Sequence, residues 1–263
     1  MIIYKVLTIA GSDSGAGAGA QADLKTLAAL GVYGTSAITA ITAQNTVGVT
    51  AIMAMPPKLV SAQIDAVIAD IGAQAVKTGM LANARIIRAV ARKITDHRLN
   101  NLVVDPVMVA KGGDVLLERD AIDTLRSHLM PLATVITPNL PEAQQLTGVS
   151  GGGLRQIREM ARRITDLGPK AVVIKGGHRR GPADDVFYDG GAFQVFPAER
   201  IPTQNTHGTG CTYSAALAAH LAKGATVEAA VAGAKSYVTE AIRNAFSIGS
   251  GHSPVHHFYD RWP

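Results

Sequence analysis

Short apolar runs of strand length alternate with amphipathic runs of helix length along nearly the whole chain, and this alternation constrains the fold more than any other feature. Candidate strands cover 4–10, 35–41, 49–53, 75–77, 102–105, 134–137 and 171–175, followed by a hairpin-like pair at 185–188 and 193–195. Candidate helices cover 19–30, 57–71, 83–97, 118–128, 139–147, 153–167, 209–222 and 226–245. Val103-Val104 and Ala171-Val172-Val173-Ile174 are apolar on both faces, as strands of a parallel sheet covered on two sides must be. In 57–71, Leu59, Val60, Ile64, Val67, Ile68 and Ile71 form one helical stripe. The pattern predicts an α/β fold: a mostly parallel central sheet with helices on both faces. No Pro/Ser-rich linker, repeat or charge block divides the 263 residues, so a single domain is expected. Ligands of such sheets sit beyond the carboxyl ends of the strands, which directs attention to the loops that follow them.

Composition removes several function classes. At 47% hydrophobic and 17% charged, the chain is neither disordered nor fibrous. A lone cysteine, Cys211, excludes an internal disulfide and a thiolate zinc cluster and suits a reducing compartment. The net charge of +5 is spread thinly, its one tight run being His178-Arg179-Arg180, and aromatics are only 5%. Nucleic-acid binding, which wants a basic stripe with interleaved aromatics, is therefore not expected. Residues 2–9 are too short and wrongly flanked for a signal peptide. The stretch 26–57 carries no charge, but its glycines, threonines, Gln44 and Asn45 argue against a membrane span and for a pair of buried strands. A cytoplasmic protein is expected.

Two glycine-rich loops stand out. The first, at 11–19, joins a strand to a helix and contains a G-x-G-x-x-A match at Gly15, Gly17 and Ala20. A dinucleotide site would need an acid about 20 residues further on to hold ribose. After Asp23 the next acid is Asp65, which removes that reading; a loop closing over a small neutral molecule is the better one. The P-loop spacing is absent. The second loop, Asn205-Thr206-His207-Gly208-Thr209-Gly210-Cys211-Thr212, runs into a helix. Glycines let consecutive N–H groups converge, and the helix N-terminus adds about half a positive charge, an arrangement suited to the oxygens of a transferring phosphoryl group. Cys211 in the first turn is expected to have a lowered pKa and to accept a proton. On spacing alone, an ordinary loop-to-helix junction with a small buried cysteine fits equally well.

This second loop resembles the anion hole and base of the ribokinase-like sugar and vitamin kinases, with cysteine where most carry aspartate. Further segments narrow the likeness: Ala10-Gly11-Ser12-Asp13-Ser14-Gly15, Gln21-Ala22-Asp23-Leu24-Lys25-Thr26, Thr42-Ala43-Gln44-Asn45-Thr46, Thr78-Gly79-Met80-Leu81, Val104-Asp105-Pro106-Val107-Met108, Thr137-Pro138-Asn139-Leu140-Pro141-Glu142-Ala143, Val173-Ile174-Lys175-Gly176-Gly177-His178 and the tail Gly251-His252-Ser253-Pro254-Val255-His256-His257-Phe258. Together, over about 6–262, they closely resemble the bacterial hydroxymethylpyrimidine/phosphomethylpyrimidine kinases. Ala16 and Ala20 depart from the family's usual glycine and isoleucine, Gly112 from a common serine, and Arg179-Arg180 follow the Lys175 segment.

The resemblance implies a ribokinase-like fold and ATP-dependent phosphorylation of hydroxymethylpyrimidine, then of its phosphate, for thiamine biosynthesis. It implies ATP and Mg²⁺, a homodimer, and neither nucleic-acid nor membrane partners. By the same resemblance, Gly208, Thr209 and Gly210 form the anion hole and Cys211 is the base. Asp23 or nearby backbone takes the pyrimidine amine, Gln44 reads a ring nitrogen, Met80 and Val107 clamp the ring, and Gly11 borders the pocket. Asp105 and Glu142 stand near the metal, while Lys175, His207, Asn139 and Glu142 face nucleotide phosphates. By type alone, Met80 and Val107 at strand ends read more often as plain core, Asp23 as decoration of a first helical turn, and Lys175 as a solvated strand end. His256 and His257, as sequence neighbours, diverge and are read as structural rather than as a metal pair. Rival readings are a pyridoxal kinase, the thiazole kinase of the same pathway, and a non-catalytic pyrimidine sensor.

Overall fold

The computed structural model describes residues 2–109, 113, 116–117, 120–179 and 181–261. The start of the helix expected at 118, together with Gly112 and Arg180, lies outside the described residues. The strands are β1 (Lys5–Asp13), β2 (Tyr33–Gln44), β3 (Val49–Ala54), β4 (Ala75–Thr78), β5 (Leu102–Val104), β6 (Val135–Ile136), β7 (Val172–Ile174), β8 (Asp185–Tyr188) and β9 (Phe193–Phe196). The helices are α1 (Gly19–Ala29), α2 (Pro57–Asp70), α3 (Ala84–Asp96), α4 (Ala121–Thr124), α5 (Leu140–Thr147), α6 (Leu154–Thr165), α7 (Thr209–Ala222) and α8 (Val227–Arg243). α4 runs directly into a π-helical turn, Leu125–Leu129.

The strands form one sheet in the order β3-β2-β1-β4-β5-β6-β7-β8-β9. All pairings from β2 through β1 to β7 are parallel; β3 at one edge and the β8–β9 hairpin at the other are antiparallel. Strand alternation divides the core between the two faces. Leu102, Val104, Val172 and Ile174 pack with Val60, Ile64, Ile86, Val90 and Ile157 on one side. Val103, Val135 and Val173 pack with Leu27, Leu217 and Val231 on the other. The predicted α/β architecture is therefore the observed one, and among the described residues no helix is long and apolar enough to cross a membrane.

One expectation about 26–57 is corrected. β2 is half buried, but β3 is almost wholly exposed. It pairs only with β2 at the sheet edge. Its lack of charge thus marks an apolar surface, with Ile41, Ile52 and Met53 open to solvent, rather than a buried strand.

Helix ends are set locally. Asn83 accepts from Ile86 N–H and Thr226 from Ala229 N–H, capping α3 and α8. β1 extends past the expected residue 10 through an irregularity between Ala10 and Ser12, and an isolated bridge from Ser12 to Gly19 closes the first glycine loop. Inside that loop Ala16 has φ 57°, the left-handed region that favours glycine. The left-handed conformation costs an L-residue about 1–2 kcal/mol, whereas the added freedom of an unfolded glycine costs about 0.4–1 kcal/mol. Ala16→Gly should therefore raise the melting temperature by about 2 °C in thermal unfolding; a lowered value would contradict the strain.

Candidate active site

The carboxyl ends of β1, β2, β4, β5 and β7 open into one cavity of about 900 Å³. Two glycine loops from opposite ends of the chain meet at its rim. Gly208, the residue before α7, has φ 77°, and a Cβ there would lie 1.8 Å from Gly17 O. A Cβ on Gly17 would lie 2.3 Å from the His207 ring. Only glycine permits this approach, and it turns the start of α7 toward the cavity. Helix geometry leaves the Gly210 and Cys211 N–H groups without intrahelical acceptors, while Thr209 N–H reaches Thr206 O at 3.3 Å. The result is a corner of a kind suited to an anion, and its residues Gly208, Thr209, Gly210 and Cys211 all line the cavity.

Charge is concentrated beneath this corner. Lys175, just after β7, donates to Asp105 Oδ1 at 2.9 Å. The Asp105 carboxylate also accepts from Thr137 Oγ1 at 3.2 Å and Ser214 Oγ at 3.3 Å. Burial opposes the charge on Lys175, but Asp105 and Glu142 outweigh it and hold the ammonium above the ordinary lysine range. Asn139 and Glu142 form a reciprocal cap on α5: Glu142 N–H donates to Asn139 Oδ1 at 2.9 Å, and Asn139 N–H to Glu142 Oε2 at 2.7 Å. Glu142 is buried. That burial, reinforced by Asp105 and opposed by Lys175, pushes its carboxyl up to about 7.

The wall that holds Gly11, Met80, Val107 and Gln44 carries no charge on those four residues. Gly11 and Met80 are in contact, a Cβ on Gly11 being only 2.9 Å from Met80 Sδ, and both line the cavity with Val107. Gln44 lines the same wall. Thr42 Oγ1 donates to Gln44 Oε1 at 3.1 Å, and Gln44 Nε2 lies 3.4 Å from His207 Nε2. His207 Nε2 in turn lies 2.9 Å from Asp13 Oδ2, which ties the imidazole to the first loop. Burial works against the Asp13 carboxylate, but hydrogen bonds from His207, Ala18 and Gly15 outweigh it and keep its pKa low.

Two sequence expectations need correction. Asp23 does not line the cavity: it is fully buried, with both oxygens accepting from Lys77 Nζ at 2.8 and 2.9 Å and Oδ2 also from Thr8 Oγ1 at 2.5 Å. It is thus the counter-ion of Lys77, not a side chain free to take an amine. The Cys211 thiol is not acidified either. Its enclosure by protein raises it to about 11, with Asp23 and Asp105 adding to the rise and Lys77 opposing it.

Sequence reading missed Lys77, which lines the cavity floor although its side chain has no solvent exposure. The signal was a charge inside a strand of central position: Lys77 is the one charged residue of β4, whose four residues are all buried. Also missed was the far wall, where Ile201, Pro202, Val238 and Ile242 form an apolar slot beside Thr203 and Thr239. Near it, Lys235 Nζ pairs with Asp185 Oδ1 at 2.9 Å. His256 and His257 are buried away from the cavity lining, with His257 Nε2 3.1 Å from Thr212 Oγ1.

A sheet of this topology, with a glycine-opened helix N-terminus facing a lysine–aspartate pair across one cavity, defines a ribokinase-like small-molecule kinase. The chain belongs to the phosphomethylpyrimidine kinase family, whose model matches residues 13–256. It is 49% identical to the hydroxymethylpyrimidine/phosphomethylpyrimidine kinase of Bacillus subtilis, over 98% of this chain and 96% of that protein. It is 53% identical to the thiamine biosynthesis bifunctional protein ThiED of Geobacter sulfurreducens over 96% of its own length but only 52% of that protein's. The fold superposes on a Bacillus subtilis pyridoxal kinase solved with ADP at a TM-score of 0.92, with 42% identity and full coverage of both chains.

The buried Glu142 supplies a test of the site's electrostatics. A carboxyl whose pKa rises from 4.5 to about 7 on folding contributes stability below 4.5 and loses it as pH rises through 7. Glu142→Gln keeps an oxygen for the Asn139 N–H but carries no charge. Without nucleotide or divalent ion, it should melt a few degrees above the parent at pH 8, the gap closing toward pH 5. A variant that melts below the parent at pH 8 would contradict the assignment.

Proposed function

We propose that the chain transfers the terminal phosphoryl group of ATP to 4-amino-5-hydroxymethyl-2-methylpyrimidine, and then to the resulting monophosphate, supplying the diphosphate used in thiamine biosynthesis. The observation that carries this reading is one cavity holding both a flat wall of Gly11, Met80, Val107 and Gln44 and the amide corner at Thr209–Cys211 over the Lys175–Asp105 pair. The names of the family and of full-length relatives at about half identity support the substrate. The ADP complex of the pyridoxal kinase neighbour supports the nucleotide.

A flat aminopyrimidine fits the first wall, with Gln44 offering an amide to a ring nitrogen. Because the Asp23 side chain is sealed under Lys77, the exocyclic amine is left to main-chain carbonyls of the neighbouring loop. The slot of Ile201, Pro202, Val238 and Ile242 suits a purine base. Phosphates then point back toward Lys175 and the helix N-terminus, where converging N–H groups stabilise charge on the transferring group. His207, held on Asp13, orients the corner from behind.

Magnesium fits the donor set. Asp105 and Glu142 are hard oxygen donors sharing one ammonium, Lys175, so one carboxylate lacks a full counter-charge. Magnesium prefers few carboxylates, its other positions being filled by phosphates and water, and Asp105 and Glu142 would supply two. When bound, the ion supplies charge neutralisation for the phosphates.

In the first transfer, the acceptor hydroxyl oxygen bonds to the γ-phosphorus as the bond to the ADP oxygen breaks, and the hydroxyl proton passes to the thiolate form of Cys211. That form has released its own proton to solvent and, with the thiol raised to about 11, is the minor form near neutral pH. In the second, the acceptor is a phosphate largely dianionic near neutral pH, its second pKa being about 6, and it needs no base. The exposed apolar edge at Ile41, Ile52 and Met53 suits coverage by a second copy, which supports a homodimer. The single cysteine suits a reducing cytoplasm.

General-base catalysis contributes about 10²–10⁴-fold, so Cys211→Ala should slow the first transfer by at least that lower bound and leave the second nearly unchanged. Lys175→Ala should bias the loss toward the second. The ratio of the two rates is the quantity to compare, because the variant also strips buried Asp105 of its partner. Single-turnover rates on the alcohol and on the phosphate, with pyridoxal alongside as a third acceptor, provide the check. Equal losses on both steps in Cys211→Ala would refute the base assignment, and a preference for pyridoxal would replace the proposed acceptor.

A further inference from the structure

The chemistry above leaves the tail motif at 251–258 without a role, although this segment contacts both halves of the site. Its far end is firmly held. His256 N–H donates to Ala241 O at 2.9 Å, and Tyr237 OH on α8 donates to His257 O at 2.5 Å. From that anchor the chain runs beside the anion-hole turn, where His207 N–H donates to Ser253 O at 3.1 Å and Val255 N–H to His207 O at 3.3 Å, a short parallel bridge. Upstream, Asn205 Nδ2 donates to Ser247 Oγ at 3.2 Å.

The same segment also grips the acceptor-side loop between β2 and β3. His252 N–H donates to Thr46 O at 2.8 Å, and Gly251 N–H to Thr46 Oγ1 at 3.2 Å. The fit is close: a Cβ on Gly251 would lie 2.0 Å from Thr46 O, and one on Gly249 would lie 2.4 Å from Thr46 Oγ1. Ser253 folds the segment onto itself, its hydroxyl donating to Ile248 O at 2.7 Å and accepting from Ile248 N–H at 2.9 Å. Thr46 lies two residues beyond Gln44, and His207 immediately precedes Gly208. One segment thus spans the group that reads the acceptor and the turn that receives the phosphoryl group.

We propose that residues 247–255 form a positioning strap for phosphoryl transfer, with Thr46 and Gly251 as positioning residues that hold the Gln44 loop and the Gly208 turn at a fixed separation. Neither residue touches the reacting atoms; each acts through the loop it holds. Misplacing reacting groups by about 1 Å can cost on the order of 100-fold in rate, so a strap that sets their spacing acts on kcat and on acceptor binding more than on nucleotide binding. The roles given to the two loops rest on the kinase reading above, while the strap itself is a statement about coupling between them.

The test uses the full chain and the variants Gly251→Ala, Thr46→Val and Thr46→Ser. Gly251→Ala drives a methyl group into a main-chain carbonyl and should lower kcat on hydroxymethylpyrimidine about tenfold or more while leaving ADP affinity within about twofold. Thr46→Val, which loses the hydroxyl acceptor, should show a smaller loss in the same direction, and Thr46→Ser should restore parental behaviour. Hydrogen exchange supplies a readout independent of activity: in Gly251→Ala, protection should fall together at 44–48 and 205–210. A parent inactive on hydroxymethylpyrimidine would overturn the kinase reading, and the exchange result would still decide the strap. The strap is overturned if kcat stays within about twofold of the parent, if ADP affinity falls as much as acceptor affinity, or if exchange changes in only one of the two loops.

Discussion

The site depends on an arrangement of buried charge at the carboxyl ends of the central strands. Lys77 is sealed against Asp23, Lys175 against Asp105, and Glu142 is left leaning on a lysine already engaged. Such groups are expensive to bury and are tolerated when paired and hydrogen-bonded, so each pair holds the other's geometry fixed. Thr8, Thr137 and Ser214 complete the coordination of the carboxylates. The floor of the cavity therefore holds two ammonium groups against three carboxyls, and Glu142 is the carboxyl without a lysine of its own.

Above that floor, recognition falls largely to the main chain. The two glycine loops approach so closely that Gly17 and Gly208 cannot carry side chains, and Asp13 and His207 bind them together. Residues nearly two hundred positions apart thus form one corner, which explains why a compact cavity can serve both an uncharged ring and a polyphosphate. In the proposed reaction, side chains supply the ring-binding wall and the counter-charge, and backbone amides supply the anion site.

Much of this was legible in the sequence because it obeys local rules. Among the described residues, nine strands and eight α-helices follow from apolar periodicity and caps with differences at their ends, except that the helix expected over 118–128 is α-helical only over Ala121–Thr124 and π-helical over Leu125–Leu129. The glycine turn before Cys211 announced itself by composition and by its place ahead of a helix. What escaped reading depends on the third dimension. An uncharged strand looks the same whether buried or at an edge, so the exposure of β3 could not be foreseen. Asp23, an acid in α1, gives no sign that Lys77, 54 residues on, lies across from it. A cysteine at a helix start should be acidified by the dipole, but the enclosure and the neighbouring carboxylates win. The grip of the tail on Thr46 joins segments more than two hundred residues apart, and no local pattern encodes it.

The state of the Cys211 thiol links these observations, since it registers burial, the Lys77–Asp23 pair and the readiness of the proposed base at once. Because the chain has a single cysteine, thiolate absorbance near 240 nm, taken as the difference from Cys211→Ala to remove the six tyrosines, reports on that group, and its titration in the ligand-free protein is the most direct measurement. With the thiol raised to about 11, the absorbance should stay flat from pH 6 to 9. A step centred near neutral pH would show that the helix N-terminus outweighs burial, and would contradict the electrostatic account of the site.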